Sequence, residues 1–395
     1  MELRTLLFRY NPWWEGEINF IKAYERKKLL SEMEKQFSNK NIIFITGLRR
    51  VGKTTLMKLF IKKLILEKGI KPDLIFYVSL DDFILDKYSI SDIIEEFRKI
   101  HRHSVDKKIY VLLDEITYKR EFHRQLKNLY DRENIKIYAS SSSASILKDS
   151  SAFLTGRESI MEILPFFFEE YLELKGITIN KRDTFIFEEY FEDYLVTGGL
   201  PEYIRTKDNS YINSLIDDIL YKDIVLKNNI RDKDIIKDFF FLLMNHSSGV
   251  LSLYKISKVL KLSTETVSRY FGFFLNTYII GSVKRCGKLN QRLNSPPKIY
   301  SADIGIRYIF SEGKKLGKQF ENYFYLNFKK EKLCYLKEDS IEIDFLINNR
   351  YLVEVKYKEG LSPEQRKLFE KYEVEEKHII TNPDELNRLK DYCCK

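Results

Sequence analysis

Apolar positions along this chain change rhythm as it proceeds, and each rhythm predicts a different kind of element. In the first part, short continuous apolar runs recur at residues 41–46, 74–80, 109–113, 135–140 and 159–164. Amphipathic stretches lie between them, notably 53–68 and 89–100. Apolar strands alternating with helices predict a parallel sheet covered on both faces. From Pro165 to about Lys237 the chain turns helical and aromatic-rich, broken by Thr197-Gly-Gly-Leu-Pro-Glu202, which predicts a sharp turn. Ser252 heads a helix through Leu260, and Ser263 heads another from Thr264 to about Thr277, joined as in a helix-turn-helix. After Gly281 a basic run leads to Ile299-Tyr300, which predicts a basic hairpin, the wing of a winged helix. Strict alternation appears last, at Ile341–Ile347 and Tyr351–Tyr357, and predicts two strands. A helix at about 317–327 precedes them, a capped helix opens at Ser362-Pro-Glu-Gln365, and a strand comes after it at 377–381.

Chemistry gathers first between the run at 41–46 and the helix from Lys53. There the sequence reads Gly47-Leu-Arg49-Arg50-Val51-Gly52-Lys53-Thr54-Thr55, the G-x-x-x-x-G-K-T pattern of a phosphate loop. The glycines let backbone N–H groups wrap a polyphosphate, and the helix N-terminus adds positive potential. Lys53 is then placed for the β/γ oxygens of ATP and the Thr54 hydroxyl for Mg²⁺. The strand at 109–113 ends in Asp114-Glu115, a Walker B pattern, with Asp114 for the Mg²⁺ shell and Glu115 for the attacking water. The strand after it ends in Ser140-Ser-Ser-Ser143, which either senses the γ-phosphate or caps the following segment. The paired Trp13 and Trp14 form either a wall for a purine or a core contact, the commoner role.

A second constellation lies near the C-terminus. Asp344 with Glu354-x-Lys356 is the D…E-x-K pattern of metal-dependent nucleases, and Glu321 on the preceding helix completes a shell for Mg²⁺ or Mn²⁺. Period two puts Glu354 and Lys356 on one strand face, with the lysine placed to stabilise phosphorane charge. In the winged helix, Thr264, Thr266, Ser268, Arg269, Lys284, Arg285, Lys288 and Arg292 are the residues for DNA phosphates, against the alternative of a module used only for protein contacts.

Composition narrows the picture modestly. A chain of 395 residues predicts two to four domains, and its net charge of +9 suits a polyanionic partner, as it also suits ordinary solubility. No apolar run reaches a membrane span and the start lacks a signal pattern, so the expected location is the cytoplasm. The four cysteines show neither metal-ligand spacing nor a disulfide framework.

These motifs resemble the archaeal-type ATPases of the AAA+/STAND superfamily that carry a C-terminal PD-(D/E)xK nuclease-like domain. Further carriers are Tyr10-Asn-Pro-Trp-Trp14, Leu154-Thr-Gly-Arg157, Phe168-Glu169, Gly198-Gly-Leu-Pro-Glu202 and Lys298-Ile-Tyr300 through Asp303-Ile-Gly305. The predicted architecture is α/β: a P-loop NTPase sheet (1–176), a helical lid (177–237), a winged helix (238–312) and a restriction-endonuclease-like domain (313–395). The resemblance implies that Gly47 to Thr55 bind nucleotide, that Pro201 of the lid's GxP motif lies near it, and that Arg157 couples nucleotide state to the lid. It also implies that the Ser140 strand is inserted between the P-loop and Walker B strands. Relatives carry Gly-Ser-Ser where this chain has Ser140-Ser-Ser, which leaves the sensor open. The function expected is ATP binding and hydrolysis with DNA binding and metal-dependent cleavage. The rivals are a nucleotide-dependent regulator with an inactive nuclease fold, and a ring motor whose oligomer needs an arginine finger that the sequence does not mark.

Overall fold

A computed structural model describes residues 2–144, 154, 156–180 and 183–393. Thr155 of the Leu154–Arg157 motif and Cys394 lie outside the described residues. The chain divides into two compact units, Met1–Ile163 and Leu164–Lys395.

The first unit is built on five parallel strands, β1 (Ile42–Thr46), β2 (Ile75–Ser79), β3 (Ile109–Asp114), β4 (Ile135–Ser141) and β5 (Glu158–Glu162). Their order is β2-β3-β4-β1-β5, so β4 does stand between the P-loop and Walker B strands. Ile42, Ile43, Phe44 and Ile45 are all at most 1% exposed, as expected of a strand covered on both faces. Each such side chain contributes about 1.5–3 kcal/mol of burial. Helices Lys53–Leu66 and Ile90–His101 cross over the sheet, the second opened by a capping box between Ser89 and Asp92.

The tryptophan pair belongs to the core. Both indole N–H groups donate to the Ile75 carbonyl, at 3.1 Å from Trp13 and 2.9 Å from Trp14. Asn11 beside them accepts from the Tyr77 N–H at 2.7 Å and donates to the Tyr77 carbonyl at 2.9 Å. The N-terminal segment thereby satisfies the free edge of β2, which would otherwise stand open to other strands.

The second unit opens with helices Phe168–Lys175, Thr184–Thr197, Pro201–Thr206 and Asn209–Asp218, the last continuing as a π-helical stretch at Ile219–Leu226. Helices Lys233–His246, Leu253–Leu260 and Thr264–Asn276 come next, the last two capped by Ser252 and Ser263. One seven-stranded sheet then spans the rest, in the order β12-β11-β10-β9-β7-β8-β6. Its strands are β6 (Gly249–Val250), β7 (Ile280–Arg285), β8 (Lys298–Ser301), β9 (Leu333–Glu338), β10 (Ile341–Ile347), β11 (Tyr351–Val355) and β12 (Glu376–Ile380).

Two expectations are corrected here. The wing is not a plain hairpin: β7 and β8 pair antiparallel, but helix Leu289–Asn294 intervenes, and β7 also pairs in parallel with β9. Cysteines do pair: Cys286 and Cys334 form a disulfide, 48 residues apart in sequence. The β7–β9 pairing brings them together, with the Cys286 N–H donating to the Tyr335 carbonyl at 2.8 Å.

Candidate functional site

The loop after β1 has the backbone that a phosphate cradle requires. Gly52 has φ 99°, a left-handed conformation that strains residues bearing a Cβ, and starts the helix at Lys53. Gly47 has φ 139°, and a Cβ there would stand 2.3 Å from the Ile163 carbonyl oxygen. Val51 is buried beneath the loop, and Arg50 adds a further positive φ of 64°. Lys53 is buried to 5% exposure and its ammonium donates to the carbonyls of Gly47 and Leu48, each at 3.0 Å. Arg49, Thr54 and Thr55 complete the loop and the helix entry.

Asp114 faces this loop from the end of β3. Its carboxylate accepts from the Thr54 hydroxyl at 2.6 Å, from the Tyr77 hydroxyl at 2.9 Å and from the Ser140 hydroxyl. Ser140 in turn accepts the Glu115 N–H at 2.9 Å, and the Ser142 hydroxyl donates to the Glu115 carboxylate at 3.2 Å. Glu115 itself has φ 51°, a conformation uncommon outside glycine that recurs at functional sites. Burial pushes its carboxyl up from the ordinary range, against the opposing pull of Lys53. The strand order explains the convergence: β4 lies between β1 and β3, with Ile45 opposite Ser140 and Leu113 opposite Ala139. Ligands of such sheets bind beyond the carboxyl ends of the strands.

Hydroxyl and carboxylate oxygens suit Mg²⁺, a hard cation that keeps several waters. Thr54 and Asp114 fit that role, since they already touch one another beside the loop. The metal supplies charge neutralisation to a bound polyphosphate. Tyr77 was not marked by any motif, although its position on β2 next to β3 places it opposite Leu112. The capping alternative for the serine run falls on residues 145–150, which lie outside the described residues, whereas Ser140 is engaged with Asp114.

Residues 39–172 match the AAA domain family. The matched stretch contains the loop from Gly47 to Thr55 and the strand that ends in Asp114. Residues 188–315 match a second family, a domain of unknown function. An uncharacterised protein of Methanocaldococcus jannaschii is 28% identical over 368 residues, covering 88% of this chain and 81% of its own. An uncharacterised protein of Haemophilus influenzae is 25% identical, covering 79% of this chain and 80% of its own. Among solved structures, C. elegans PCH-2 is similar at 19% identity and TM-score 0.29, covering 41% of this chain; the chain spans 50% of that one. AMPPCP-bound DnaA from Aquifex aeolicus is similar at 19% identity and TM-score 0.32, covering 64% of this chain and 89% of that one.

Pro201 stands in the second unit, at the head of helix Pro201–Thr206. The turn before it is fixed from within that unit, because the Gly199 N–H donates to the Asp303 carboxylate at 2.6 Å. Arg157 stays in the first unit, paired with Asp131 at 3.2 Å. Of the residues expected to contact DNA phosphates, Thr264, Ser268, Arg269, Lys284, Lys288 and Arg292 are exposed. Arg285 is engaged elsewhere, donating to the Lys337 carbonyl.

The C-terminal carboxylates do converge, but around an ammonium. Lys298 of β8 is 1% exposed and ion-pairs with Glu321 at 2.8 Å and with Glu342 and Asp344 at 2.7 Å each. Glu354 accepts the Asp344 N–H at 2.9 Å, pairs with Lys356 at 3.0 Å and accepts from Gln365 at 2.9 Å. The second Asp344 oxygen accepts the Val355 N–H at 2.9 Å. Among the described residues, no group of three or more His, Cys, Asp or Glu is arranged to hold a metal ion. Of the expected shell, Glu321 and Asp344 are thus paired with the ammonium of Lys298, and Glu354 with that of Lys356. Sequence reading missed Lys298 as a site residue. The signal was its period-two spacing from Tyr300, whose hydroxyl donates to Glu321 at 2.9 Å.

Proposed function

We propose that this chain is a magnesium-dependent ATPase whose nucleotide state governs engagement of DNA by its winged helix. The observation that carries the proposal is the Asp114 carboxylate, held by Thr54, Tyr77 and Ser140 at the mouth of the phosphate loop with Glu115 beside it. In this reading the loop from Gly47 to Thr55 takes the triphosphate, and Lys53 leaves the loop carbonyls for the β/γ oxygens. Thr54 and Asp114 hold Mg²⁺, and Glu115 orients the water that attacks the γ-phosphate. A raised carboxyl is a better proton acceptor near neutral pH than an ordinary one, which suits that role. The DNA arm of the proposal rests on the exposed Arg269, Lys284, Lys288 and Arg292 and on the net charge of +9. Metal-dependent cleavage does not enter the proposal, because Lys298 fills the D…E-x-K cluster.

Purified protein incubated with ATP and Mg²⁺ should release ADP, and nucleotide should change its affinity for members of a panel of linear, single-stranded, branched and supercoiled DNA. ADP release that persists unchanged in Lys53→Ala would defeat the ATPase reading. Equal DNA affinity with ATP, with ADP and without nucleotide would defeat the switch.

A further inference from the structure

The cluster around Lys298 has a stoichiometry of its own. An ammonium carries three protons and no acceptor. Lys298 meets three carboxylates within 2.7–2.8 Å, those of Glu321, Glu342 and Asp344. A magnesium ion needs oxygen ligands at about 2.0–2.1 Å in an octahedral arrangement with room for water. A metal bonded to those same oxygens would share their centre with the ammonium and repel it.

Asp344 and Glu354 have further partners as well. Asp344 uses its second oxygen on a backbone N–H, and Glu354 is held by a backbone N–H, by Lys356 and by Gln365.

The lysine also joins parts of the fold that are distant in sequence. Lys298 lies on β8, which pairs with β7 and β6, whereas Glu342 and Asp344 lie on β10 and Glu321 on helix Leu316–Phe328. Asn322 of that helix grips the same strand, accepting the Ser301 N–H at 2.8 Å and donating to the Ser301 carbonyl at 2.9 Å.

We infer that Lys298 is the permanent cation of this cluster: its ammonium replaces a divalent metal and locks β8 to the C-terminal layer, making that layer a metal-independent module. This inference stands apart from the ATPase proposal, since none of its residues lies in the first unit.

The test is Mn²⁺ binding to the nucleotide-free full chain, with free Mn²⁺ read by electron paramagnetic resonance and the thermal midpoint followed in parallel. Wild type and Asp344→Asn should take up Mn²⁺ identically, so that any uptake belongs to the phosphate-loop region. Lys298→Met should gain one Mn²⁺ site, at least about tenfold tighter than any in wild type, because it exposes unpaired carboxylates. The double variant Lys298→Met with Asp344→Asn should lose that site. Mn²⁺ uptake by wild type that falls on Asp344→Asn would overturn the inference, as would a folded Lys298→Met with no gain. If Lys298→Met does not fold, Lys298→Arg takes its place: it keeps the charge and should gain no Mn²⁺ site, and a gain there overturns the inference.

Discussion

The phosphate loop and the C-terminal cluster each set a buried lysine near a buried aspartate, yet they are built for opposite purposes. Around Asp114 the direct partners are hydroxyls of Thr54, Tyr77 and Ser140, and Lys53 spends its protons on loop carbonyls instead. Neutral donors bring no charge of their own to the carboxylate, and a lysine on carbonyls can exchange them for phosphate oxygens. Around Asp344 the partner is the ammonium of Lys298, already neutralised by three acids. One acid remains available to a cation from solution and the other does not. The lesson is that a D…E-x-K pattern specifies strands and faces, while the identity of the central cation is decided by a residue outside the pattern.

The comparison breaks most readily at the phosphate loop. Glu115→Gln should still bind ATP but hydrolyse it more slowly by about 10²–10⁴-fold, read as ADP release against nucleotide binding. Lys53→Ala and Asp114→Ala should each lose about 10²–10³-fold in turnover. Full activity in either would mean that the hydroxyl-held carboxylate is not the working site. At the other pole, Lys298→Met should destabilise the second unit by about 3–5 kcal/mol in denaturant unfolding, since it strands the buried carboxylates of Glu321 and Asp344 and the half-buried one of Glu342. A loss under 1 kcal/mol, on the order of a surface pair, would show that the cluster does not depend on its ammonium.

A smaller effect tests a carboxylate that has no cation at all. Asp303 is fully buried, and burial raises its pKa from 3.8 to about 6, against the N–H groups of Gly199, Ile306 and Gly305 that lower it. A raised folded-state value means stability that is complete below pH 3.8 and lost as pH rises through about 6. The stability difference between wild type and Asp303→Asn should therefore shrink by about 2 kcal/mol between pH 4 and pH 7, and a pH-independent difference would refute the assignment. The smallest effect belongs to the surface. Replacing Arg269, Lys284 and Lys288 together should reduce the slope of log affinity against log salt for DNA by roughly 3, and unchanged slopes would place the contact elsewhere.

Legibility tracked sequence distance. The loop from Gly47 to Thr55 is a contiguous pattern, and the Asp114-Glu115 strand end is another, so each was readable where it stood. Capping residues Ser252, Ser263 and Ser362 were readable for the same reason, because a cap acts within a single turn. Strand order was not available from spacing, since nothing local tells β4 to enter between β1 and β3. Lys298 pairs with acids 23 to 46 residues away in the chain, and Cys286 with a cysteine 48 residues away. Both depend on β7 and β8 joining the C-terminal strands, a registration that alternation alone does not encode.

That joining also sets how the chain can be divided. A cut after residue 312 looks natural from sequence, between a winged helix and the alternating strands of the C-terminus. It would strip β9 from β7, leave Cys286 without its partner and leave Lys298 buried beside no acid. The bared strand edge would then invite pairing with other copies. An expression fragment ending there should come out insoluble, whereas one holding Leu164–Lys395 keeps the whole sheet. Gene fusions and recombination that shuffle this region must therefore inherit both segments as a single cassette.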